Sequence, residues 1–171
     1  MKTYKLHTEQ IIHASLEEVW DFFSSPENLD NLTPGNMAFE ITSQKPVPKM
    51  FEGQMIEYKV APVLNIPLHW KTLISEVKDK EYFVDEQLEG PYKFWRHKHI
   101  FKELGINTVK MNDELEYALP LGPLGTIAHT LYVKNRLKEI FDYRYQKVDQ
   151  LFNHFDISKR VDNTEKALSV Q

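Results

Sequence analysis

Hydrophobic positions in the last third of the chain recur with helical spacing. Between Leu124 and Phe155 the apolar residues Val133, Leu137, Ile140, Phe141, Val148, Leu151, Phe152 and Phe155 form one stripe. Lys134, Lys138, Asp142, Gln146, Lys147 and Asp149 fall on the other side. At ~1.5 Å per residue this helix would reach roughly 50 Å. No other stretch has comparable helical spacing, so the helix is expected to lie across a sheet.

The preceding residues supply that sheet. Tyr4, Leu6, Thr8, Gln10 and Ile12 share one side of a first strand. Ser15 followed by Glu18 is a capping box, and Leu16, Val19, Trp20 and Phe23 give a short amphipathic helix. Ser25-Pro26 predicts a second start, with serine as N-cap and proline in the first turn, for a short helix ending before Thr33-Pro34-Gly35. From Met37 to Ala118 the period changes to two. Strands are expected around Phe39 and Ile41, across Ile56, Tyr58 and Val60, and across Trp70, Thr72 and Ile74. Three more follow at Tyr82 to Leu88, Tyr92 to Leu104 and Thr108 to Ala118, parted by Glu89-Gly90-Pro91 and Gly105-Ile106-Asn107. Short connections make this an antiparallel meander.

The last hairpin permits a register prediction. Trp95, His97, His99 and Phe101 share a face, as do Val109, Met111, Asp113, Leu115 and Tyr117. A three-residue loop from Gly105 to Asn107 pairs Leu104 with Thr108. Counting back, Phe101 meets Met111, His99 meets Asp113, His97 meets Leu115 and Trp95 meets Tyr117. This keeps both apolar faces together, which a one-residue slip would not.

Composition narrows the function classes. The 171 residues suit one domain, 1–155, with a polar, aperiodic tail at 156–171 expected to be disordered. A net charge of −4 without a basic block argues against a nucleic-acid partner. Zero cysteines removes disulfides, thiolate metal sites and cysteine nucleophiles. No apolar run has the length of a membrane span and no signal-peptide core is visible, so a cytoplasmic protein is the default expectation. Aromatic content of 12% is the least routine number.

The element order, with Pro26-Glu27-Asn28-Leu29, Leu32-Thr33-Pro34, Gly53-Gln54-Met55-Ile56-Glu57-Tyr58, Phe83-Val84-Asp85-Glu86-Gln87, Gly90-Pro91-Tyr92 and Leu119-Pro120-Leu121-Gly122-Pro123-Leu124-Gly125, resembles the bacterial SRPBCC branch of the START and Bet v 1-like superfamily. The resemblance covers roughly Tyr4 to Phe152. It implies an α+β helix-grip fold: a curved antiparallel seven-stranded sheet, two short helices and one long C-terminal helix over a cavity. Related domains are sometimes joined to epimerase-like proteins labelled cell-division inhibitors, but this chain has no GxGxxG. The superfamily carries lipids, hormones and quinones and also cyclises polyketides, so the resemblance implies no single reaction.

Inward candidates for a ligand wall are Tyr58, Trp70, Asp85, Gln87, Trp95, His97, His99, Asp113 and Tyr117, with Phe141 and Tyr145 from the helix. Asp85 and Gln87 belong to this set if Phe83 faces inward. The plain alternative is a solid aromatic core. His99 and Asp113 are candidates for a proton-handling pair. The same residues equally suit a structural hydrogen bond. Two histidines and a carboxylate also suit a metal, but histidines two apart on a strand have no preferred match to one ion, and no metal or other cofactor is assigned. The other histidines, His7, His13, His69, His129 and His154, read as surface or helix-end residues. Gly122-Pro123-Leu124-Gly125 reads as a backbone turn, not a phosphate cradle, and no GxSxG marks a serine nucleophile. Three functions remain. The first is a carrier of a hydrophobic, partly polar small molecule, released when the long helix or the Ala61 to Pro67 loop shifts. The second is an aromatase/cyclase or dehydratase-type enzyme, and the third an interaction domain with a closed core.

Overall fold

A computed structural model describes residues 2–43, 45–61 and 66–153. The expected tail, His154, Phe155 and most of the Ala61 to Pro67 loop lie outside the described residues.

Strand β1 (Tyr4–Ile12) leads into α1 (Leu16–Phe23). Ser15 and Glu18 form the reciprocal capping box: the Glu18 backbone donates to Ser15 Oγ at 3.2 Å and the Ser15 backbone to Glu18 Oε2 at 2.9 Å. The second short helix is a single 3₁₀ turn, Pro26–Leu29. Ser25 does not cap it; its hydroxyl donates back to the Asp21 carbonyl at 2.7 Å, which leaves the turn without a side-chain acceptor. Strands β2 (Glu40–Ile41), β3 (Met55–Val60), β4 (Leu68–Lys78), β5 (Tyr82–Glu89), β6 (Phe94–Gly105) and β7 (Thr108–Ala118) complete a seven-stranded sheet in the order β1-β7-β6-β5-β4-β3-β2. All its pairings are antiparallel.

The β6–β7 register pairs Phe101 with Met111, His99 with Asp113, His97 with Leu115 and Trp95 with Tyr117. The turn differs from the three-residue expectation. Gly105 pairs with Thr108, so Ile106 and Asn107 form the loop, with Asn107 at φ 53°. A bulge between Glu103 and Gly105 absorbs the extra residue and restores the register below it.

The long helix begins at Gly122, two residues before the expected start. It runs as α2 (Gly122–Ala128), a π turn (His129–Val133), α3 (Lys134–Val148) and a second π turn (Asp149–Asn153). Gly122-Pro123-Leu124-Gly125 is therefore the opening of this helix, preceded by Leu121 in the left-handed region at φ 67°. Each π turn adds a residue and rotates the phase of the helix beyond it. Leu151, expected in the buried stripe, is accordingly exposed, while Phe152 packs edge-on against Phe22 at 5.3 Å. No described helix is long and apolar enough to cross a membrane.

The core lies between the sheet and the helices. Trp20, Phe23, Phe83, Phe101, Met111 and Val148 fill one end. Leu115, Tyr117, Leu137 and Phe141 pack the long helix onto β7, and Met37, Val60 and Trp70 close the other edge. A polar cluster sits among these three groups.

Candidate functional site

Strand β6 sets the site. Its alternation turns Trp95, His97, His99 and Phe101 toward the long helix, and the two imidazole centroids stand 3.8 Å apart. From β7, Asp113 places Oδ1 2.9 Å from His97 Nε2 and 2.8 Å from His99 Nδ1. From β5, Asp85 places Oδ2 3.0 Å from His99 Nε2 and 3.6 Å from His97 Nδ1. Two rings are thus held between two carboxylates. The register alone predicts His99 as the partner of Asp113; His97, its diagonal neighbour across the ladder, is held as closely. The outer oxygens are also bonded: Thr8 Oγ1 donates to Asp113 Oδ2 at 3.2 Å, and Trp95 Nε1 to Asp85 Oδ1 at 3.2 Å.

Arg144 completes the cluster from α3, with Nη2 3.5 Å from His99 Nδ1. The residues expected from sequence do not include it, yet it lies seven residues from Leu137 and three from Phe141, on the same stripe. A cation on the apolar face was the signal for it.

Electrostatics divide the roles. Burial resists the charge of Asp113, but the Arg144 cation and the hydrogen bonds from both histidines outweigh it and hold the carboxyl well below its usual range. Burial likewise opposes Asp85, and its contacts with His99 and His97 outweigh that and lower its pKa. His97 and His99 move apart. Burial, with His99 beside it, lowers His97, whereas the bonds to Asp113 and Asp85 overcome burial and raise His99. Identical side chains two residues apart therefore differ in affinity for a proton.

The cluster faces a cavity of about 160 Å³ between the sheet and the helices. Tyr58, Trp70, Asp85, Trp95, His97, His99 and Phe141 line it, as do Phe83, Ile140 and Arg144. Beside the charges the wall is aromatic: Tyr58 stacks on Trp70 at 5.9 Å, and Trp95 meets Trp70 edge-on at 5.2 Å. Tyr58 is hydrogen-bonded to Thr72 at 3.0 Å, and its burial raises the phenol's pKa far above the usual value. Among the described residues, buried Trp70 Nε1 and Arg144 Nε have no hydrogen-bond partner.

Four residues of the expected wall lie elsewhere. Gln87 closes the β5–β6 turn, donating to the Tyr92 carbonyl at 2.7 Å and accepting from its amide at 3.2 Å. A Cβ on Gly90 would stand 2.4 Å from Gln87 Oε1, so glycine is what lets this side chain fold back. Tyr117 turns to the other side of Tyr92, where its hydroxyl meets His129 Nε2 at 2.9 Å. Burial pushes that phenol up to about 12. Asp113 sits behind the histidines and does not reach the cavity. Tyr145 is 49% exposed, because the buried face of α3 runs through Leu137, Phe141 and Val148 and leaves position 145 off to one side. Tyr145→Ala is therefore expected to change stability by no more than about 0.5 kcal/mol. Phe141→Ala, four residues away, should cost about 3–5 kcal/mol in denaturant unfolding.

No protein-family model and no curated protein sequence matches the chain. Solved structures do. The norcoclaurine synthase of Thalictrum flavum, in complex with dopamine and hydroxybenzaldehyde, superposes with a TM-score of 0.60 at 19% identity, covering 91% of this chain and 90% of that one. A START superfamily protein from Mycobacterium smegmatis gives 0.62 at 11% identity, covering 86% and 98%. The chain shares the helix-grip fold of these proteins. The major latex-like protein 151 of Panax ginseng has it too, with a TM-score of 0.63 at 11% identity, covering 88% of this chain and 97% of that one. At these identities the likeness establishes the helix-grip architecture alone. In this chain the grip encloses the Asp85–His97–His99–Arg144 cluster.

Proposed function

We propose that residues 1–155 form a ligand-binding domain that holds and carries a hydrophobic small molecule with an oxygen-bearing polar end. The observation that carries this reading is the mixed cavity wall. Aromatic rings and a fixed cluster of charged and imidazole groups line the same void. An apolar body buried there contributes roughly 25 cal/mol per Å² removed from water. The few converging polar groups set its orientation.

Size selects among the classes that the family resemblance implies. An apolar void of about 150 Å³ takes a molecule such as benzene. A cavity of about 160 Å³ thus favours a compact quinone or polyketide-like ring compound over a long-chain lipid. The dopamine and hydroxybenzaldehyde held by the norcoclaurine synthase neighbour, each built on one ring, support the same size class. Release occurs through a shift of the long helix against the sheet.

The test is mass spectrometry of the purified protein, first native and then after solvent extraction. A co-purified ring compound is expected. A folded protein that carries nothing and takes up no phenol or quinone from a panel removes the carrier reading. His99→Gln separates carrier from enzyme. In metal-free protein it should change ligand affinity by no more than about tenfold, whereas turnover dependent on a His99–Asp113 proton relay would fall by about 10²–10⁴.

A further inference from the structure

We propose that Asp85, His97 and His99 bind a divalent transition-metal ion at the polar end of the cavity. One donor atom from each residue lies within 4.8 Å of the other two. Asp85 Oδ2 is 3.0 Å from His99 Nε2 and 3.6 Å from His97 Nδ1. Ligands bonded at ~2.1 Å to one ion stand roughly 3.0 Å apart in octahedral and ~3.4 Å apart in tetrahedral geometry. Both separations from Asp85 are close to that spacing, and the donors of the three residues lie within 4.8 Å of one another.

The outer contacts decide which nitrogens are free. Asp113 Oδ1 is within 2.9 Å of His97 Nε2 and within 2.8 Å of His99 Nδ1. When those nitrogens carry the protons, His97 Nδ1 and His99 Nε2 turn lone pairs toward Asp85. Two imidazole lone pairs and a carboxylate oxygen then face one another. A proton bridges two of them, and a metal ion satisfies all three. Metal-bound imidazoles are regularly held this way, by a carboxylate on the far nitrogen. Here one carboxylate serves both rings, and Thr8 and Trp95 fix the outer oxygens of Asp113 and Asp85.

Charge and access agree. With both histidines neutral, two carboxylates and the Arg144 guanidinium leave the cluster one negative charge for an incoming dication. Arg144 Nη2 is 3.5 Å from His99 Nδ1, the nitrogen that faces Asp113. Asp85, His97 and His99 all line the cavity whereas Asp113 does not, so open coordination positions face the void. Two imidazoles and one carboxylate with open positions suit Fe²⁺, Co²⁺ or Zn²⁺. Histidines two apart on a strand can serve one ion here because the two rings present opposite nitrogens. The proposal stands whether or not a ring compound occupies the cavity.

The full chain, stripped with a chelator, is titrated with Co²⁺ alone and with Zn²⁺ alone. One ion per chain is expected, with visible d–d absorption for Co²⁺ and paramagnetic shifts of the His97 and His99 ring protons in the unaltered protein. Asp85→Asn should abolish uptake, and Asp113→Asn should weaken it about 10–100-fold. Exposed His69, 3.4 Å from Glu57 and 3.6 Å from Glu89, is the control for surface binding. His69→Gln should change nothing. Three results would overturn the proposal: no uptake by folded protein, uptake unaffected by Asp85→Asn, or paramagnetic shifts at His69 in place of His97 and His99.

Discussion

Asp113→Ala is expected to destabilise the fold by about 3–5 kcal/mol, the range for removing one partner of a buried charged network. Asp113 is 7% exposed and stands between His97, 4% exposed, and His99, 3% exposed. Removing its carboxylate leaves both far nitrogens without an acceptor and Thr8 Oγ1 without its partner. It also takes away the negative charge that offsets Arg144 inside the site. In a chain of this size each kcal/mol moves the melting midpoint by roughly 2–4 °C. Scanning calorimetry should therefore find a drop of at least ~6 °C. Asp113→Asn keeps the shape and one acceptor oxygen and should lose less, about 1–3 kcal/mol. An alanine variant within about 1 kcal/mol of the parent would mean that the carboxylate does not hold the cluster together.

Ile140→Trp is expected to abolish ligand binding while sparing the fold. Ile140 is a half-buried residue of α3 whose side chain borders both the cavity and the Trp70 cluster. An indole at that position fills much of a void of about 160 Å³. Overpacking a well-filled core costs typically about 1–3 kcal/mol, and at a cavity wall the lower end applies. Affinity for a ring compound should fall at least about a hundredfold, or ~2.7 kcal/mol. Isothermal calorimetry reads the affinity and thermal unfolding the stability. Unchanged affinity would place the ligand outside this cavity.

How far the sequence anticipates this arrangement depends on the residue. The β6–β7 hairpin was readable because both strands alternate strictly, so one register alone keeps Trp95, Phe101, Met111 and Leu115 on the core side. Even the bulge at the turn left that register intact. Strand β5 was not readable in this way. Phe83 is 2% exposed and Val84 0%, so burial on both faces removes the period-two signal that would fix the facing of Asp85. On the long helix the stripe was visible but not its centre. A shift of one residue turns a helix by ~100°, and four residues return only to within ~40° of the start. That error admitted exposed Tyr145 and passed over Arg144. Gln87 and Tyr117 were misplaced for another reason. Each has a local partner, Tyr92 and His129, that no spacing rule reveals. The two π turns had no recognisable sequence signal, and with them went the exposure of Leu151.

The central claim is that a ligand sits in the cavity lined by Tyr58, Trp70 and Trp95 and by the Asp85–His97–His99–Arg144 cluster. The most direct test uses the chain's own 3 tryptophans. Trp70 and Trp95 line the cavity, whereas Trp20 packs between Phe83 and Phe101 outside it. In ¹⁵N–¹H spectra, the indole signals are assigned from single Trp→Phe variants and followed while a compact phenol or quinone is added. Saturable shifts of the Trp70 and Trp95 indoles, with Trp20 nearly still, are the predicted result. Saturable binding that leaves Trp70 and Trp95 in place would contradict the account.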